Sequence, residues 1–333
     1  MSEQDAPLEF GDPDGLRVAV HPYGARIASV RVPGRDGLIE TVLNHATPRP
    51  PPGDRNFLGN TVGRVSGRIA RSRFTLDGAT HQLEPNEGAN HLHGGPGGFH
   101  VRRWTVLNHD ARGPRPEVKL ALHSPAGDGG YPGALDVTAT FRIDGDVLAV
   151  ELVGRCDAAS PLALTLHPYF NLSGDHGQDI ADHWLTLAAA RYLELDEEFL
   201  PTGRVPAVDG TPFDFRVARP IGAFDATVPE LRATAGYDHT WVCSPAAPWQ
   251  ARLEHRQSAL TLEVRSNQPG LQFYAGQYLQ PTDGTAWRER CGLCLEPQCW
   301  PNAVNEPAFP SPILRPGETY RNDIQYRFMP NAG

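Results

Sequence analysis

Two side chains in this sequence combine a type and a setting suited to moving protons. His167 breaks the apolar run Leu162-Ala-Leu-Thr-Leu-His167-Pro-Tyr-Phe-Asn171, and Glu296 breaks Cys291-Gly-Leu-Cys-Leu-Glu296-Pro-Gln298. Both runs read as strands, in which successive side chains alternate faces. Leu162, Leu164 and Leu166 then point one way and Thr165 and His167 the other; Leu293 and Leu295 oppose Cys294, Glu296 and Gln298. An imidazole and a carboxyl on the polar faces of anchored strands suit general acid–base chemistry. Singly, each also reads as a partly exposed histidine or a solvated glutamate. Together, in these settings, they favour the chemical reading.

Four polar clusters accompany the pair. Gly59-Asn-Thr-Val-Gly-Arg64-Val-Ser-Gly-Arg68-Ile lacks the spacing of a dinucleotide loop. Its glycines mark bulges or close backbone approach, in a twisted strand or in one that admits a ligand to Arg68. In Asn86-Glu-Gly-Ala-Asn90-His91-Leu92-His93-Gly94-Gly95, His-x-His puts two imidazoles on one strand face, a geometry able to bind metal. No cysteine or carboxylate cluster nearby completes such a site, so His93 reads as a hydrogen-bonding group above a glycine turn. In Tyr237-Asp238-His239-Thr240 an acid enters an apolar strand, as a turn cap or a ligand-facing group. Gln272, in Leu271-Gln-Phe-Tyr, joins Glu296 and Gln298: planar acceptors among aromatic rings are what a sugar site uses. Cys291-Gly-Leu-Cys294 has the spacing of a redox or zinc half-site, but no second such pair exists and the structural reading prevails.

Composition excludes several classes. The chain has 333 residues and a net charge of −9, which argues against a nucleic-acid partner. The densest basic stretch, Arg64 to Arg73, reads as a solvated strand face. Lys119 is the only lysine, which removes Schiff-base chemistry and the P-loop. Five scattered cysteines (156, 243, 291, 294 and 299) fit free thiols in a reducing compartment. The acidic start lacks an apolar leader, and no apolar run approaches about 18 residues. A cytoplasmic protein without a membrane partner is expected, and the sequon Asn171-Leu-Ser173 reads as chance.

The elements that must position these residues are short strands between turns. Leu16–Val20 and Ala25–Val32 flank a Pro-Tyr-Gly turn. Phe141–Ile143 and Val147–Val153 flank Asp144-Gly-Asp, a hairpin signal. Leu253–His255, Leu260–Val264, Phe273–Leu279 and Tyr320–Phe328 are further strands, while Thr227–Arg232 and Trp287–Arg290 are single helical turns. Glycine (34) and proline (32) are dispersed as turns, and Pro48–Gly53 is the most linker-like stretch. The expectation is one large antiparallel all-β domain over residues 1–333.

Taken together, the clusters resemble the aldose 1-epimerases (galactose mutarotases). The likeness runs from Tyr23-Gly-Ala-Arg-Ile to Ile313-Leu-Arg-Pro-Gly-Glu-Thr-Tyr320. Gly63-Arg64…Arg68-Ile69, Leu92-His93-Gly94-Gly95, Thr165-Leu-His167-Pro-Tyr-Phe-Asn-Leu172, Tyr237-Asp238-His239 and Leu295-Glu296-Pro-Gln298 carry it. The resemblance implies an all-β supersandwich with an open sugar-binding cleft, Glu296 as catalytic base and His167 as catalytic acid. It also implies that Arg68, His93, Asp238 and Gln272 hold the substrate. The chain departs from the family pattern at Gly67, Leu166, Pro297, Asn302 and Glu306. Gly67 and Leu166 are expected beside the cleft, where they bear on the preferred sugar.

The implied reaction opens a cyclic hemiacetal, turns the freed aldehyde and closes it on the other face. It needs no metal and no cofactor. A histidine titrating near neutral pH would serve in both directions. A monosaccharide is the expected partner, and monomer and homodimer both stay open. Alternatives are a hexose-6-phosphate 1-epimerase using Arg64, Arg71 or Arg73, a non-catalytic carbohydrate-binding protein, and a glycoside hydrolase using Asp238 and Glu296.

Overall fold

Alternating apolar and polar residues set the largest layer. In Leu135–Asp144, Leu135, Val137, Ala139, Phe141 and Ile143 are buried while Asp136, Arg142 and Asp144 face solvent. This strand returns as Val147–Cys156 through the expected hairpin, with Asp144 opposite Val147. Both belong to a nine-stranded antiparallel sheet. Its order is Thr105–Asp110, Glu117–Ser124, Leu135–Asp144, Val147–Cys156, Tyr320–Pro330, Leu260–Ser266, Ala251–His255, Trp184–Leu187 and Arg219–Pro220. Each buried leucine or phenylalanine there contributes about 1.5–3 kcal/mol. Truncating the fully buried Phe141 to alanine would cost about 3–5 kcal/mol.

A second, four-stranded sheet lies inside the first, in the order Tyr169–Phe170, Leu293–Gln298, Gly270–Tyr274 and Asp238–Val242. All six residues of Leu293–Gln298 are buried. One face packs into the main core, where Phe170 meets Tyr326 of the larger sheet at 5.4 Å between ring centroids. The other face turns toward a cleft. Another four-stranded sheet (Leu8–Gly11, Arg17–His21, Arg26–Gly34, Gly37–Glu40) and several two-stranded ribbons complete this large antiparallel β-sandwich.

The computed structural model describes residues 6–45, 47, 49, 54–222, 224–281, 285 and 287–330. Of the linker-like stretch 48–53, only Arg49 is among them. The one α-helix among the described residues is Pro229–Ala233, close to the expected helical turn. Among the described residues, no helix is long and apolar enough to cross a membrane.

Several expectations need correction. Residues 162–171 do not form one strand; the chain makes the short strands Thr165–Leu166 and Tyr169–Phe170, and His167 sits in the link between them. Both alternation sets there are buried, because the segment is wedged between two layers. Trp287–Arg290 is not helical, and the Phe273 strand ends at Tyr274. Arg64 to Arg73 is solvated only at its far end: Arg71 and Arg73 are exposed, but Arg64 is buried, and its guanidinium bonds Ser124 and the carbonyls of Pro125, Pro132 and Gly133.

Candidate active site

Strand register builds the cleft floor. Directly opposed residues on antiparallel strands share a face. Asp238 opposes Tyr274, Tyr274 opposes Cys294, and Cys294 opposes Tyr169. In the next row Thr240 opposes Gln272, which opposes Glu296. Asp238, Gln272 and Glu296, far apart in sequence, therefore stand on neighbouring strands of one surface. Above it opens a cavity of about 800 Å³, whose lining includes all six residues singled out from the sequence: Arg68, His93, His167, Asp238, Gln272 and Glu296.

His167 reaches this surface from its link because the backbone is held on both sides. Its N–H donates to the Asn60 carbonyl at 3.0 Å, and its carbonyl accepts from Gly59 N–H at 2.8 Å. Gly59 has φ +67°, and a Cβ there would lie 2.1 Å from the Ile27 carbonyl, so glycine is required. A buried knot ties this link to the Glu296 strand. Asn322 donates to the carbonyls of Leu164 and Pro297, both at 2.9 Å, and Thr165 Oγ1 donates to the same Pro297 carbonyl at 2.8 Å.

The result is a close pair. His167 Nε2 lies 3.6 Å from Glu296 Oε1, with side chains 6% and 3% exposed. Glu296 Oε2 has no hydrogen-bond partner among the described residues. Phe57, His93, Tyr169 and Tyr274 ring the imidazole, at 5.8, 5.4, 5.1 and 6.4 Å between centroids. Burial lowers His167 to about 4. Burial, reinforced by Asp238, holds Glu296 well above the usual carboxylate range. The expected near-neutral histidine is therefore corrected: burial opposes charge on both groups.

The remaining residues present fixed donors and acceptors. Gly67 N–H donates to His93 Nδ1 at 3.2 Å, so neutral His93 carries its proton on Nε2. Burial, with His167 adding to it, keeps His93 neutral. Gln272 Nε2 donates to Asp238 at 2.7 Å, while Gln272 Oε1 accepts from Thr240. Although burial opposes its charge, Arg68 stays protonated beside Asp238 and Glu87. Its guanidinium grips Glu87 through two bonds, of 2.5 and 2.9 Å, and lies 5.1 Å over the Phe199 ring.

His93, His167 and Glu296 lie close enough together to suggest a metal site. The tautomer of His93 argues otherwise, since a ligand at Nε2 would force a proton onto Nδ1, against Gly67 N–H. His91 does not join His93 on one face. It is buried elsewhere, between Tyr131 and the Glu84 carbonyl. All five cysteines are free thiols.

The sequence reading missed Glu87, Cys294, Asn322 and the aromatic cage. Glu87 lay within a quoted motif, but its pairing with Arg68 needs the short strands Arg68–Ile69 and His91–Leu92 to meet. Of the departures, Gly67 lines the cavity as expected, whereas Leu166 is wholly buried and does not.

Solved structures share this architecture. An aldose epimerase homologue from C. elegans matches with a TM-score of 0.86 at 30% identity, covering 98% of this chain and 99% of its own. A galactose 1-epimerase from Lactobacillus acidophilus matches with a TM-score of 0.83 at 29% identity, over 97% and 94%. The fold is thus a large antiparallel β-sandwich of the galactose mutarotase type. The chain belongs to the aldose 1-epimerase family, whose model matches residues 8–327. Galactose mutarotase from Sus scrofa is 38% identical over 324 residues, covering 95% of this chain and 92% of the relative. Aldose 1-epimerase from Escherichia coli is 37% identical over 325 residues, with the same coverage.

Proposed function

We propose that this protein interconverts the α and β anomers of a free aldose, with Glu296 as base and His167 as acid. The observation that carries the reading is the 3.6 Å gap between His167 Nε2 and Glu296 Oε1, both largely buried where they line the cleft. The two oxygens that must lose and gain a proton, the anomeric hydroxyl and the ring oxygen, sit on one carbon. A base and an acid a few ångströms apart can therefore serve both at once.

The pair shares one proton. In opening, His167 gives its Nε2 proton to the ring oxygen while Glu296 takes the anomeric one, and the ring carbon–oxygen bond breaks to an aldehyde. Neutral His167 and protonated Glu296 remain. After rotation about the C1–C2 bond, Glu296 returns its proton to the aldehyde oxygen and His167 recovers the other as the ring closes. Because the proton count never changes, no exchange with solvent is needed. Burial favours the all-neutral arrangement, which is the state that ring opening leaves.

Arg68, His93, Asp238 and Gln272 are proposed to bind sugar hydroxyls, and their opposing donors and acceptors suit a neutral polyol. The lining disfavours a sugar phosphate. Asp54, Glu87, Asp238 and Glu296 outnumber Arg55 and Arg68 there, and Arg64, Arg71 and Arg73 are absent from it. The test is polarimetry on freshly dissolved α-D-glucose and α-D-galactose. Enzyme-accelerated decay of rotation, lost in Glu296→Gln and His167→Asn, is the expected result; near-wild-type rates in either variant would remove it from its role.

A further inference from the structure

Cys294 lies behind the imidazole of His167, on the same strand face as Glu296 and two residues before it. Its sulfur is 3.3 Å from His167 Nδ1, it is wholly buried, and it also bonds the Tyr169 hydroxyl. We propose that Cys294 is a positioning residue: its sulfur accepts the Nδ1–H of His167, so that Nε2 becomes the one ring nitrogen that exchanges a proton with the sugar. The inference rests on the acid role of His167 given above.

An imidazolium that releases its Nε2 proton must keep the one on Nδ1, because a neutral imidazole holds one N–H. Whatever faces Nδ1 therefore decides whether the ring returns with a vacant Nε2. A carboxylate there would also hold the proton, but it would stabilise the imidazolium and weaken it as an acid. Sulfur is a weak acceptor, and burial keeps this thiol protonated, so no anion stands behind the ring. A hemiacetal ring oxygen is itself a weak base, and a poorly stabilised imidazolium transfers to it more readily.

Cys294 is the side chain that meets Nδ1; burial lowers His167 most, its own backbone carbonyl and Asp54 raise it, and His100 lowers it. Burial keeps His93 and His100 neutral, Tyr169 and Tyr274 are held protonated, and Glu296 is the partner in the shared proton. The Tyr169 hydroxyl meets the same sulfur, giving a chain of contacts from His167 through Cys294 to Tyr169.

The test pairs spectroscopy with kinetics. In protein carrying ¹⁵N-histidine, the His167 signals are those missing from His167→Asn, and they should report the Nδ1–H tautomer. Cys294→Ala should lose that preference and about tenfold in kcat, with KM changed by less than about twofold. Cys294→Ser, whose hydroxyl accepts more strongly, should keep kcat within about threefold and move the acid limb of the pH profile upward. An Nε2–H tautomer in the wild type would overturn the proposal, as would a wild-type kcat and pH profile in Cys294→Ala. If the alanine variant does not fold, the wild-type tautomer and the serine pH profile decide. Retained activity in His167→Asn would instead count against the proposed function.

Discussion

Among the described residues, two places bring two imidazoles and a carboxylate together, and they behave in opposite ways. His93, His167 and Glu296 form one; Asp182, His183 and His255 form the other. In the second, every group is engaged. Leu172 N–H donates to His183 Nε2 at 2.9 Å, so the Nδ1 proton goes to Asp182 Oδ1 at 3.0 Å. Ser258 N–H donates to His255 Nδ1 at 3.2 Å, so the Nε2 proton goes to Asp182 Oδ2 at 3.2 Å. Both ring lone pairs accept backbone N–H groups, which leaves no histidine nitrogen for a metal. In the first cluster, Glu296 Oε2 has no partner and the Nε2 atoms face a cavity. The same residue types make a clamp where the backbone satisfies them and a reactive site where it does not.

That contrast can be broken most sharply at Glu296. Glu296→Gln should lower kcat by about 10²–10⁴-fold in a polarimetric assay. The variant should also melt at a higher temperature than the wild type. A carboxyl held above its unfolded value contributes stability at low pH that is lost as pH rises. The gain from glutamine is therefore absent below the usual carboxylate range and grows above it. A fall in melting temperature at neutral pH would show that Glu296 stabilises the fold.

His167→Asn should follow closely in magnitude, and the wild-type pH profile identifies the shared proton. kcat/KM should stay level until His167 takes a second proton near its depressed value of about 4. It should decline at high pH once Glu296 gives up the proton the pair holds. An acid limb near pH 6.5, the usual histidine value, would mean that burial does not control the pair.

Glu87→Gln probes the binding side. With the charge of its clamp gone, Arg68 is less firmly aimed, and KM should rise about tenfold with kcat little changed. Equal losses in both constants would instead place Arg68 among groups that act in the transition state.

Asp182→Asn should have the smallest kinetic effect, leaving kcat and KM within about twofold. Its stability should drop by about 1 kcal/mol at neutral pH, a figure already discounted because the side chain is half exposed. The Asp182 carboxyl lies below its ordinary value; burial opposes this, and His183 and His255 produce it. Its contribution is thus present above that ordinary range and fades as pH falls through the folded value. A large loss of activity would unite the two clusters functionally.

The sequence alone determined the all-β class, most strand positions, and the six residues that the cavity collects. The class and the strands follow from local rules, period-two burial and turn residues at regular intervals; the six residues follow from polar clusters whose order resembles the aldose 1-epimerase pattern. It also separated Cys294, Glu296 and Gln298 from Leu293 and Leu295, because alternation within one strand is a local property. Only the tertiary structure decided what depends on contacts between distant segments. It put Glu87 on Arg68, and it let Asn322 lock the His167 link to the Glu296 strand. It also broke the expected strand around His167 and depressed the imidazole to about 4. A side chain's type is written in the chain, but its burial and proton affinity are set by whatever the fold packs against it.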